Sequence, residues 1–315
     1  MIATTNLFRT ESFPPLSSHQ LNEYLSLIEL PSASATESTA NLKPSLLLLN
    51  SILIGQSKKT PFVRAITPGQ LSIDPEDVFT RLVQERRGGY CFHLNILLVR
   101  VLKALGFEVS NGVSRGAKWD ASMNQYSFIG PTHMVVFVSL DEKQYLADLG
   151  FNHVGLTKAI EIKEGAKATS VAGEEHRIRS CNLTAENAWI LWHKRAPWAK
   201  PATEGIDEDG YTPLLYFTLE KFRPQDYHVL NFFTSHSADF ILARNFVASI
   251  VTETGGRAVV TDTVFRRREA LENKHLECVV SLETVEELVD KMRQEFAVEL
   301  KPHEIEAARA RFYSS

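Results

Sequence analysis

The chain has 315 residues, 44% of them hydrophobic and 23% charged, with a formal net charge of −4, which fits an ordinary globular protein with room for about two domains. The slight negative charge gives no electrostatic footing for nucleic acid or an anionic membrane, so neither is expected as a partner. Three widely spaced cysteines, Cys91, Cys181 and Cys278, form neither a disulfide framework nor a C-x-x-C zinc pattern and point to a reducing compartment.

No apolar segment of signal-peptide type lies in residues 1–15, and the leucine-rich run 46–54 is far too short to span a bilayer, so a cytoplasmic location is expected. Residues 17–29 read as a helix capped by Ser17 or Ser18, with Leu21, Tyr24, Leu25 and Ile28 on one face and Pro31 as its stop. Residues 32–41 read as a polar loop, 44–54 as a second helix ending near Gly55, and 60–69 as loop or short strand. Asp74 caps a further helix with Pro75 at its first position.

That helix leads into Glu85-Arg86-Arg87-Gly88-Gly89-Tyr90-Cys91-Phe92-His93-Leu94-Asn95. The residues after Cys91 are apolar on nearly every side up to Leu105, and Gly106 is a natural stop, so a buried central helix is expected. Cys91 would sit at its N-terminus, where the dipole and free N–H groups favour a thiolate. Arg86 and Arg87 would add positive potential if they point inward; a buried, inert cysteine is the alternative.

From about residue 109 the period changes to two. Runs 109–113, 126–129, 132–140, 144–151, 177–181, 188–193 and 214–219 read as strands of an antiparallel sheet or barrel, with 197–213 as a connection between layers. In the last third, 224–233 and 237–240 read as helix or turn. Runs 246–252, 257–261 and 276–282 read as strands, 285–296 as an amphipathic helix with Thr284 and Glu287 as a capping box, and 303–312 as a closing helix.

A nucleophilic cysteine needs a base and a group to orient it. His133 opens one strand and Asp148 lies on the next. A two-residue turn between them would set position 148 across from 135, diagonal to His133 and on the same face. A three-residue turn would put them on opposite faces. A satisfied core histidine and a turn-bonding carboxylate are the plain alternatives. His93, His153, His193 and His228 show no ligand spacing, so no metal is expected.

These residues resemble those of the arylamine N-acetyltransferase family. Its R-G-G-x-C, F-x-x-N, strand-heading H and D-x-G-F elements stand here as Arg87-Gly88-Gly89-Tyr90-Cys91, Phe92 to Asn95, His133 and Asp148-Leu149-Gly150-Phe151, and the likeness runs over about 15–300. The resemblance implies an α+β fold: a helical domain (1–108) carrying Cys91, an antiparallel β-barrel domain (109–213) carrying His133 and Asp148, and an α/β lid (214–315). Between the first two would lie a Cys-His-Asp site like that of papain and the transglutaminases. It further implies acetyl transfer from acetyl-CoA to arylamines, N-hydroxyarylamines or arylhydrazines, with no permanently bound cofactor. Cys91 would be the acyl acceptor, His133 its proton partner and Asp148 the orienting group. Phe62, Phe92 and Phe151 would meet the acceptor substrate, and Gly130 and Thr252 the coenzyme. A thiol hydrolase or transglutaminase, or a non-catalytic binding protein of this fold, are the competing readings.

The chain departs from the family pattern at three places. Pro61-Phe62-Val63-Arg64-Ala65 stands for P-F-E-N-L, His93 for a glutamate, and Asn152 for a glycine. Arg64 raises malonyl-CoA as an alternative donor, since guanidinium binds carboxylate in a fork; the alternative is an exposed surface arginine. The oligomeric state is left open.

Overall fold

A computed structural model describes residues 12–30, 42–64, 71–151, 154–171, 173–183, 187–197, 199, 202–237, 245–271 and 274–312. The segments read as polar loop at 32–41, most of 65–70 and most of 237–240, together with Asn152 and His153, lie outside these residues.

The chain begins with helices because caps and apolar spacing coincide. Ser17 caps α1 (Ser18–Leu27) in a reciprocal box with Gln20, and Ser45 caps α2 (Leu46–Lys59). The second helix runs past Gly55 instead of ending there. A Cβ at 55 would sit 3.0 Å from the Ile28 Cβ, so the glycine serves the close approach of α1 and α2, not a stop. Asp74 accepts from the Glu76 N–H at the start of α3 (Pro75–Phe79), which continues into a π-helical turn at Thr80–Gln84. Helix α4 (Cys91–Ala104) is buried from Cys91 through Leu102, as its all-round apolar character requires. Each buried leucine, isoleucine or valine there stabilises the fold by about 1.5–3 kcal/mol. Arg100, also buried, donates to the Pro14 carbonyl at 3.1 Å and pairs with Glu76 at 2.5 Å.

The middle of the chain forms a nearly closed antiparallel barrel. Its strands are β2 (Glu108–Asp120), β3 (Gln125–Phe128), β4 (His133–Leu140), β5 (Lys143–Ala147), β6 (Ile160–Glu161), β7 (Lys167–Thr169), β8 (Glu175–Cys181), β9 (Ala188–Lys194) and β10 (Thr212–Thr218). They pair in the order β6-β5-β4-β2-β10-β9-β8-β7, with β3 beside β2. Strand β2 is longer than its sequence suggests. It continues past the 109–113 run to Asp120, and Gly112 lies under the Phe137 ring, where a Cβ would stand 2.3 Å away. The β4–β5 turn has two residues, Asp141 and Glu142, both with positive φ, so Leu140 faces Lys143 and Val136 faces Ala147. Strand β5 therefore ends one residue before Asp148.

The last third carries α5 (Pro224–His236), β11 (Val247–Val251), β12 (Arg257–Thr261), β13 (Val264–Leu271), β14 (Lys274–Ser281), α6 (Val285–Phe296) and α7 (Pro302–Phe312). The sheet order is β1-β11-β12-β13-β14, where β1 (Phe62–Val63) comes from the helical part and pairs Val63 with Ala248. One face of this sheet packs Ala258, Val260 and Phe265 against Leu288, Met292 and Phe296 of α6. Thr284 accepts the Glu287 N–H, and Ala297 ends α6 in the left-handed region.

Candidate active site

The loop before α4 is set by two close approaches. Gly88 has φ +65°, and a Cβ there would stand 2.6 Å from the Pro61 carbonyl oxygen. Beside it the Val63 N–H donates to the Gly89 carbonyl at 2.9 Å, and Arg81 Nε donates to the Gly88 carbonyl at 2.8 Å. The loop thus delivers Cys91 to the first position of α4. Tyr90, the cap residue, offers no side-chain bond to the first-turn N–H groups. An uncapped helix start of this kind is a setting that favours an anion.

The two arginines before the glycines play another part than supplying potential at the thiol. Arg86 is exposed. Arg87 is buried, and its charge is met by Glu304 of α7 through two contacts of 2.6 Å.

His133 and Asp148 meet beside Cys91. His133 Nε2 lies 2.7 Å from Asp148 Oδ2, both groups are buried, and Cys91 is near enough to His133 to influence its charge. Burial alone would lower the His133 pKa. The Asp148 charge and hydrogen bond, with a smaller contribution from Cys91, outweigh it and raise it to about 10, so the ring is an imidazolium at neutral pH. Gly150 closes the arrangement: a Cβ there would stand 2.5 Å from the Cys91 Cα, which is why D-x-G-F needs its glycine.

Asn95 holds this cluster, a role that sequence reasoning missed. One turn after Cys91 on the same helix face, it donates from Nδ2 to Asp148 Oδ1 at 2.9 Å and to the Met134 carbonyl at 2.7 Å, and accepts the Leu149 N–H at 3.0 Å. The signal was a fully buried amide four residues after the cysteine, a spacing that places both on one face. The Gly150 N–H supplies a further donor to Asp148 Oδ1 at 2.8 Å.

The other expected residues are placed as follows. Phe151 meets the His133 ring edge-on at 5.1 Å. Phe92 is fully buried between Tyr90 and Tyr227, and Phe62 is buried in the same core. Gly130 is exposed in the segment leading into β4, and its carbonyl accepts from Thr132 Oγ1. Thr252 follows β11, and its hydroxyl donates to Glu269 at 2.8 Å.

The departures are structural as well. His93 is fully buried, with Nε2 donating to the Ser72 carbonyl at 3.0 Å and its ring 4.8 Å from Tyr90. Burial, then the nearby Arg81 charge, lowers its pKa to about 3, so it is neutral. Arg64 is buried, not a surface arginine. Its guanidinium lies over the Tyr90 ring at 5.1 Å and donates to the Thr234 carbonyl at 3.2 Å. Tyr90 also bonds Asn231 of α5, so Arg64 belongs to the packing immediately behind the nucleophile. Among the described residues no group of His, Cys, Asp and Glu is placed to hold a metal ion, and no helix is long and apolar enough to cross a membrane.

A thiol at a helix N-terminus beside a buried His–Asp pair is the kind of arrangement that thiol enzymes use. A family model described as N-acetyltransferase matches residues 45–305. The chain belongs to the arylamine N-acetyltransferase family and is an acyltransferase. It is 29% identical to arylamine N-acetyltransferase 2 of Mus musculus, covering 86% of this chain and 94% of that one. It is 27% identical to N-malonyltransferase FDB2 of Gibberella moniliformis, covering 91% and 90%. Among solved structures it is similar to the Salmonella typhimurium arylamine N-acetyltransferase (TM-score 0.76, 20% identity, 92% and 98% covered). It is also similar to the Mycobacterium marinum enzyme solved in complex with CoA (TM-score 0.73, 19% identity, 93% and 98% covered).

Proposed function

We propose that the chain transfers an acetyl group from acetyl-CoA to the nitrogen of arylamines, N-hydroxyarylamines or arylhydrazines through an acyl-Cys91 thioester. The buried Cys91–His133–Asp148 contact carries this reading. Cys91 sulfur attacks the thioester carbonyl, and first-turn N–H groups of α4 face the oxyanion. The carbon–sulfur bond to coenzyme A breaks, and the leaving thiolate takes the His133 proton. The arylamine, neutral at pH 7, then attacks the acyl-Cys91 carbonyl. His133 accepts its proton, the acyl–sulfur bond breaks, and amide and free Cys91 remain. That is a ping-pong cycle. Asp148 orients His133 and balances its charge. Phe151, beside His133, would meet the acceptor ring; Phe62 and Phe92, assigned to the acceptor by the family pattern, are buried in the core and would back it from behind. Gly130 and Thr252 are assigned to the coenzyme by the family pattern.

The test is intact-mass analysis after exposure to acetyl-CoA. A single acetyl adduct that disappears with Cys91→Ala, and is discharged by an arylamine faster than by water, is expected. No adduct, or discharge to water alone, overturns the reading.

Malonyl-CoA is the alternative donor, supported by the likeness to an N-malonyltransferase; Arg64, held over Tyr90 and bonded to the Thr234 carbonyl, would have to turn towards the acyl group to take part. A guanidinium there would hold the free carboxylate of a malonyl group. Parallel turnover with both donors tests it: an acetyl-to-malonyl ratio equal in wild type and Arg64→Ala removes Arg64 from donor choice.

A further inference from the structure

The lid sheet carries charge on the face turned away from α6. Cross-strand partners on that face are Arg257 with Arg268, and Val259 with Arg266. Like charges directly opposite in an antiparallel pair destabilise it. This chain keeps such a pair although its net charge is negative. The same face forms a cleft of about 240 Å³ with the end of β9, lined by Arg195, Arg257, Arg266, Arg268, His193 and Glu174. Four guanidiniums and one carboxylate line it, with the Glu277 carboxylate on Arg268 from the neighbouring strand.

The cleft is built rather than incidental. Arg257 is buried and fixed by Glu174 at 2.7 Å and by the Gly155 carbonyl at 3.0 Å, while its Nε has no partner among the described residues. Glu174 is thereby committed to Arg257 and to Ser170. Arg268 is bonded to Glu277 at 2.9 Å. Pockets that hold whole drug-sized ligands run roughly 300–1,000 Å³. This one suits a small multiply charged group, and arginine forks match phosphate oxygens.

Its position relates it to the active site. Val154, which lines the cleft, is three residues past Phe151 and so at most about 11 Å from it along the chain. Phe151 touches His133. A coenzyme A thioester separates its sulfur from its phosphates by a long flexible arm, so the phosphates fall a loop away from Cys91.

We propose that this arginine cleft binds phosphate groups, with the phosphates of the acyl-CoA donor as their source; the choice of source rests on the acyl-transfer reading above. A bound phosphate would add a third anion to the guanidiniums lining the cleft and anchor the donor while its thioester reaches Cys91.

The experiment compares wild type, Arg266→Gln and the double variant Arg266→Gln/Arg268→Gln. Arg266 is exposed, so its single variant tests the cleft even if the double variant folds poorly. The expected result is a KM for acetyl-CoA raised about tenfold or more in the double variant, since each lost charge-assisted bond is a substantial share of that factor. Pyrophosphate should compete with acetyl-CoA in wild type and lose that effect in the variants. Loading of Cys91 from p-nitrophenyl acetate, a donor without phosphates, reports the nucleophile and fold separately. An equal loss on both donors places the arginines in the fold and overturns the proposal, as does an unchanged KM with unchanged pyrophosphate binding. An unchanged KM with pyrophosphate binding lost supports the phosphate site but assigns it to a separate phosphorylated metabolite. If neither donor loads Cys91, the acyl-transfer reading fails, while thermal shift by pyrophosphate still decides the cleft.

Discussion

Replacing Asn95 by alanine removes three bonds from the centre of the site and leaves their partners buried. The Leu149 N–H loses its acceptor, the Met134 carbonyl loses a donor, and Asp148 keeps only His133 and the Gly150 N–H among the partners described above. An orphaned buried donor costs about 1–3 kcal/mol and a lost bond to a carboxylate about 1.5–3 kcal/mol, so the variant should be roughly 3–5 kcal/mol less stable. The Asp148 loop packs directly on Cys91 through Gly150, so its loosening also misplaces the nucleophile relative to His133. Displacements near 1 Å cost on the order of 100-fold in rate. Urea unfolding measures the first effect, and burst-phase loading of Cys91 from p-nitrophenyl acetate the second. An Asn95→Ala protein within about 0.5 kcal/mol of wild type and loading at an undiminished rate would refute the view that this amide holds the site together.

Three further outcomes follow from the charges. The His133 pKa is raised, so its stabilisation is full below the unfolded value near 6.5 and is lost as pH rises towards about 10; urea unfolding from pH 6.5 to 9.5 should show a fall of at most about 1.4 kcal/mol per pH unit that Asp148→Asn abolishes. The His93 pKa is lowered by burial, so stability is present above about pH 6.5 and drains as pH falls towards about 3. A His93→Phe variant should flatten the acid limb of Tm against pH, and an unchanged limb would show that His93 does not set it. Glu304→Gln leaves Arg87 buried without its counter-charge and should cost about 3–5 kcal/mol in a denaturant titration; a loss under about 1 kcal/mol would mean that the pair is dispensable.

Much of this was legible where the signal is local. Cys91 at a helix start follows from Gly88, Gly89 and the apolar run after it, whereas the turn length that decides the Asp148 register was open in the sequence and is two residues, Asp141 and Glu142. The misses come from contacts that span the chain. The strand read at 109–113 runs on to Asp120, and nothing near Gly112 in sequence announces the Phe137 ring over it. Arg64 read as a candidate surface residue, since its partner ring, Tyr90, arrives from another element. The facing of Arg257 and Arg268 exists only once β12 and β13 pair.

The Arg87–Glu304 bridge has a bearing on how the protein is made. Its two halves are 217 residues apart. Chains grow from the N-terminus at roughly 5–20 residues per second, so the nucleophile's loop is synthesised well before the carboxylate that neutralises it. Until α7 docks, the Arg87 guanidinium lacks its buried counter-charge, and burying it costs several kcal/mol more. The bridge thereby couples burial of the Arg87 loop to docking of the helix at 302–312, so two stretches far apart in the chain fold as one unit.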